Sequence, residues 1–170
     1  MSETAQQYID RIVSNVGRDD PWKVLESSAR RLRDLVNGRS EADLSRQPAP
    51  GRWSARAIVA HLADCEVVLG WRLRSILAVN GSPLQPFDQN RWAEAFAYEQ
   101  APLADSLDLF EVNRRANLRL LRSAKSSGQA ALEQFGMHAE RGKESVAHLI
   151  RLSAGHDLNH IRQVEALLAR

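Results

Sequence analysis

The chain is poor in the features that would staple it covalently or carry it to a membrane or to nucleic acid. It has 170 residues and a single cysteine, Cys65, so no internal disulfide can form and a reducing compartment suits it. No apolar run approaches the roughly 20 residues that a membrane-spanning helix needs, and the opening MSETAQQYIDRIV lacks the basic, apolar and cleavage-site succession of a secretory leader. These absences predict a cytoplasmic protein with no membrane partner. Charge is nearly balanced, 23 Lys plus Arg against 21 Asp plus Glu for a net +2, which leaves no basic surface to attract nucleic acid. The basic clusters RRLR at 30–33 and RRANLRLLR at 114–122 fall on helical patterns and read as solvated helix faces. Internal repeats, low-complexity segments and alternating β-branched stretches are missing as well. What remains is helical periodicity, in a chain long enough to bury a core as one domain over residues 1–170.

Four long segments carry that periodicity. The first opens with Asp20 as N-cap and Pro21 at the first helical position, runs through Trp22, Leu25, Ala29, Leu32 and Val36, and stops at Gly38. A shorter helix on Tyr8, Ile9, Ile12, Val13 and Val16 precedes it, and another, around SEADLSRQ, follows. The second long helix follows PAPGRWS, with Ser54 as cap and Trp53 placed to pack on Ile58 as a hydrophobic staple; its stripe is Ile58, His61, Cys65, Val68, Arg72 and Ile76, ending near Val79. Residues 80–101 hold two prolines and four aromatics and are too long for a tight turn, so they predict a crossover with a helical turn near Trp92. The third helix begins at Pro102 with Leu103, Leu107, Phe110, Arg114, Asn117 and Leu121 on one face, and SSGQAALEQFGMHAERGKE links it to the fourth, whose stripe is Val146, Leu149, Ser153, His156, His160, Gln163 and Leu167. The pattern predicts an all-α, four-helix bundle with a longer connection between the second and third helices.

The stripes contain a polar layer. His156 and His160, four residues apart, project from one helix face about one turn apart, and His61 faces inward on the second helix. Three neutral imidazoles suit zinc, nickel or ferrous iron and leave coordination positions open for water or substrate; hydrogen-bonded core histidines are the competing reading. Cys65, about 40° round the helix from His61, reads as a small core residue rather than a ligand. Asp64 is placed to orient an imidazole and Gln163 to hydrogen-bond a bound water or substrate; a surface position is the competing reading for each. Arg114 and Asn117 interrupt the apolar stripe of the third helix, where a buried guanidinium needs a partner; an anionic substrate group is one candidate. His138 and His148 read as ordinary exposed histidines.

Taken together, PGRWSARAIVAHLADCE at 50–66 and HDLNHIRQV at 156–164 resemble the DinB superfamily, also described as YfiT-like. Tryptophan-serine opening a helix, HL-x-D-x-E along it and H-x-x-x-H-x-x-Q in the last helix occur in the expected order, and PFDQNRWA at 86–93, Arg114 and the loop leading to SVAHLI also match, so the resemblance covers nearly the whole chain. It implies a four-helix bundle, often a homodimer, with a divalent metal held by three histidines, at positions His61, His156 and His160 here. The acidic residue that often follows tryptophan-serine by three positions is Ala57, which removes a capping-box partner but touches no ligand. The superfamily includes S-transferases that use low-molecular-weight thiols, a mycothiol-dependent isomerase, and metal-binding domains of larger sulfur-transfer enzymes, so the fold does not settle the reaction. The expectation is a metal-dependent transferase or hydrolase that activates a thiol or water to act on a small-molecule substrate, with the loop carrying Phe87, Asp88, Arg91 and Trp92 over its pocket. The alternative is a non-catalytic metal-binding or dimerising bundle.

Overall fold

Polar caps open most of the helices. In the computed structural model, which describes residues 3–169, Asp20 accepts the Trp22 N–H at the start of helix α2 (Pro21–Val36). Ser54 accepts the Ala57 N–H at the start of α4 (Ala55–Ala78), and Ser145 accepts the His148 N–H at the start of α8 (Val146–Leu168). Helix α6 (Leu103–Ser126) follows Pro102 directly. Among the shorter helices, α1 (Ala5–Ser14) opens with a Thr4–Gln7 capping box and α3 (Glu41–Ser45) is capped by Ser40; α5 (Gln89–Ala95) and α7 (Gln129–Glu133) lie in the two long connections. No helix among the described residues is long and apolar enough to cross a membrane.

The four long helices form a ring in which α4 packs on α6 and α8, and α2 packs on the same two from the opposite side. Two apolar layers fill it. One joins Leu32, Val36, Ile58, Leu62, Leu107, Phe110, Ile161 and Val164; the other joins Val24, Leu25, Leu73, Ile76, Leu118, Leu121, Leu149 and Ile150. The first layer takes the N-terminal halves of both α4 and α6, and the second their C-terminal halves, so these neighbours run parallel. The same pairing makes α2 parallel to α8. A parallel neighbour can be reached only by returning along the bundle, which is why residues 79–102 form a crossover as the loop length predicted. Connections α2 to α4 and α6 to α8 instead cross the diagonal of the ring.

A three-stranded sheet was not anticipated. β1 (Pro83–Leu84) pairs in parallel with β2 (Phe135–His138), which pairs antiparallel with β3 (Gly142–Ser145). Strands of two to four residues are too short to show a period of two, and the hairpin is polar apart from Phe135 and Met137. Gly136 permits the tight contact: a Cβ there would lie 2.5 Å from Leu84 Cγ. The sheet also corrects the reading of His138, which is 3 % exposed rather than solvated, with Nδ1 accepting the Glu140 N–H. His148, in the first turn of α8, is half-buried.

Candidate metal centre

Because α4 and α8 run antiparallel, His61 in the N-terminal half of one meets His156 at the middle of the other and His160 one turn beyond it. The Nε2 atom of His156 lies 3.3 Å from that of His61 and 3.1 Å from that of His160. Nitrogens held about 2.0–2.1 Å from a tetrahedral ion are separated by about 3.3 Å, so each of these two pairs has the spacing of two ligands on one ion, with His156 common to both. The Nδ1 of His160 is 2.9 Å from Gln163 Oε1; an amide oxygen can only accept, so Nδ1 carries the proton and Nε2 turns its lone pair to the cluster. Burial pushes all three imidazoles toward the neutral form that a ligand needs. His61 is driven well below 6.5 by desolvation and then by its two histidine neighbours, His156 to about 4 by desolvation and the Arg114 charge, and His160 to about 3 by desolvation and His156.

Sequence reasoning left Cys65 as a core residue, but its Sγ is 3.5 Å from His61 Nε2, and the donor atoms of His61, Cys65 and His156 lie within 4.8 Å of one another. Burial raises the thiol pKa well above its ordinary value, with Glu66 and Asp157 adding to the effect. On the other side of His61, the Trp53 ring lies 4.8 Å away between centroids and the Tyr98 ring 6.4 Å away. Asp64 does not orient an imidazole as expected: it accepts the Tyr98 hydroxyl proton at 2.6 Å and so ties the crossover to α4. Gln163 meets the His160 imidazole and also lines a cavity.

Arg114 is likewise corrected. Its guanidinium, 3 % exposed, donates to Glu66 at 2.9 Å and Asp157 at 2.7 Å, and also to Ser28 Oγ and the Leu25 carbonyl. Two carboxylates from its own chain therefore occupy the place proposed for an anionic substrate. Asn117 donates to the backbone oxygen and carboxylate of Glu66, at 2.9 and 3.1 Å, and joins the same network. Glu66 and Asp157 were not singled out from the sequence, although each adjoins a residue that was: Cys65 and His156. The cluster binds α2, α4, α6 and α8 through one polar layer and holds the helices that carry the histidines.

The histidines stand between two cavities. One, about 310 Å³, is reached by His61, His156 and Cys65 and is walled by Leu62, Leu69, Leu149 and Leu152. The other, about 480 Å³, is reached by His160, Gln163 and Trp53. Tyr8 and Gln89 line both. Of the loop residues expected over the pocket, Phe87 lines the smaller cavity, with its ring tilted against that of Trp92 at 4.8 Å between centroids. Asp88 caps α5 and pairs with exposed Arg91.

A family model for the DinB superfamily matches residues 25–164, most of the chain. The chain belongs to the DinB superfamily. Two Oceanobacillus iheyensis relatives, each named "Putative metal-dependent hydrolase", are each 26 % identical, one over 95 % of this chain and 91 % of its own length, the other over 86 % and 83 %. A Bacillus cereus relative of the same name is 24 % identical over 89 % of this chain and 86 % of its own. YfiT from Bacillus subtilis, described as a probable metal-dependent hydrolase with an unusual four-helix bundle topology, superposes with a TM-score of 0.80 at 22 % identity, covering 99 % of this chain and 90 % of that one. The parallel neighbours and diagonal connections of the present bundle accord with that description of the fold.

Proposed function

We propose that this DinB-superfamily chain is a metal-dependent hydrolase whose divalent ion, zinc or nickel first and ferrous iron next, is held by His61, His156 and His160. The observation that carries the reading is the succession of three neutral imidazoles, with Nε2 atoms 3.3 and 3.1 Å from one ring to the next, between two cavities. Supporting it, two carboxylates beneath the rings share one guanidinium, leaving an excess negative charge that suits a cation. The names of the relatives point the same way.

A divalent ion in such a site would lower the pKa of water and polarise a substrate carbonyl or phosphoryl oxygen. The chain supplies the rest. Gln163 keeps the proton of His160 on Nδ1 and its lone pair on Nε2. Glu66, Arg114 and Asp157 lock α4 to α8 so that the rings keep their separation. Leu62, Leu69, Leu149 and Leu152 exclude bulk water from one side of the bound substrate, and Tyr8 presents its phenol at the passage between the cavities.

The test is elemental analysis of tag-free protein with its His160→Ala and Cys65→Ala variants. We expect near-stoichiometric metal in the parent and in Cys65→Ala, with loss in His160→Ala. Hydrolysis of activated esters and amides should follow the metal and need no added thiol. Metal retained without His160 would overturn the ligand assignment. Strict dependence of turnover on an added low-molecular-weight thiol would make the protein an S-transferase instead.

A further inference from the structure

The smaller cavity is electrically lopsided. The excess negative charge of Glu66 and Asp157 over Arg114 lies beneath the histidines, whereas its other end carries a guanidinium that makes no ion pair among the described residues. Arg72 lies eleven residues beyond His61 on α4, about 20° round the helix and about 16 Å along it, so both line one wall. It is 8 % exposed and faces the cavity. Its Nη2 donates to the Gln85 carbonyl at 2.8 Å, while Nε is buried without a partner. No ion pair satisfies it among the described residues. The second guanidinium on this cavity, Arg141, is neutralised by buried Glu144, at 2.7 and 3.1 Å.

Arg114 provides the comparison within the same bundle. There a buried guanidinium receives two carboxylates; Arg72, nearly as deep, receives one neutral carbonyl. Burial first and the facing Arg141 next weaken its hold on its proton, more than nearby Glu144 restores, a cost that an anion at the guanidinium would relieve. A buried arginine fork with free donors matches the two oxygens of a carboxylate or phosphate. The wall between that fork and the histidines is apolar, formed by Leu62, Leu69, Leu149 and Leu152.

We propose that Arg72 is the anion-binding residue of this cavity, and that the substrate is an amphiphilic acid: a carboxylate or phosphate monoester head at Arg72, an apolar segment along the leucines, and the scissile bond at the histidines. Only the reactive end rests on the proposed metal centre; the head-group site stands on the geometry of Arg72.

The experiment is titration calorimetry of tag-free protein with octanoate, octyl phosphate and the uncharged octanamide, for the parent, Arg72→Met and Arg72→Lys, with metal content measured on every sample. In the parent an acid should bind about tenfold or more tightly than the amide, as loss of one charge-assisted pair implies. The tighter of octanoate and octyl phosphate identifies the head group. Arg72→Met should abolish that preference and leave amide binding unchanged, and Arg72→Lys should restore part of it. Because Arg72 has no carboxylate partner, Arg72→Met should melt within a few degrees of the parent, which separates a lost ligand contact from a lost fold. Equal binding of acid and amide by the parent, no acid binding, or acid binding indifferent to Arg72→Met overturns the proposal. Arg72-dependent acid binding in protein without metal keeps this inference and rejects the metal centre; bound metal with no preference for acids does the reverse.

Discussion

His160 shows how much one side chain depends on the next. Its tautomer is set by Gln163 Oε1 at 2.9 Å, so if His160 holds the proposed ion, Gln163→Leu should weaken metal binding by about 10–100-fold, the usual effect of losing a partner behind a ligating histidine, measurable by competition with a chromogenic chelator. The depressed imidazoles also predict the acid sensitivity of the metal-free protein. In the unfolded chain their ordinary pKa is about 6.5, and in the folded one burial lowers that of His156 to about 4 and that of His160 to about 3. Between those values the unfolded state binds more protons, so stability is complete above about pH 6.5 and is lost as pH falls toward 4. Urea midpoints of chelator-treated protein across pH 4–8 should fall on the acid side; a flat profile would contradict neutral burial. The three histidines were legible in the sequence because spacing on a helix is local. Asp64 and Arg114 were legible as inward polar residues but not in their roles, because Tyr98, Glu66 and Asp157 reach them from other elements.

At the scale of the elements, close approaches place the histidine-bearing helix. Gly155, just before His156, lies under α1, where a Cβ would come within 2.1 Å of the Ile12 carbonyl oxygen. Gly155→Ala should therefore destabilise by about 1–3 kcal/mol despite alanine's better helix propensity, with α1 displaced and Tyr8 drawn from both cavities. Urea denaturation and a change in tyrosine fluorescence would check it. The buried layer is more demanding still. Arg114→Met leaves Glu66 and Asp157 facing each other without their cation, and should cost about 3–5 kcal/mol, read from the shift in urea midpoint. The helix starts at Ser54 and Asp20 were legible because a cap is a local device. The sheet was not: its strands acquire their pattern only when Leu84, Gly136 and Ser145 are brought together by the crossover and the hairpin.

For the molecule as a whole, a metal joining α4 to α8 would bind only the folded chain. Free ion at about 100 times its dissociation constant should add about 2.7 kcal/mol, which for a chain of this size raises the melting temperature by roughly 5–10 °C. Melting curves with and without chelator should show this shift in the parent and lose it in His61→Ala; an equal shift in both would place the ion elsewhere. The amino-acid sequence alone determined the helical class, the four long segments, their caps, the crossover and the inward histidines, since each follows from spacing along one strand of chain. Only the tertiary structure decided that α4 and α6 run parallel, that Arg114 belongs to Glu66 and Asp157, and that Arg72, at the end of the cavity, makes no ion pair among the described residues. Charge pairing depends on which helices become neighbours, and periodicity says which face is buried without saying what it is buried against.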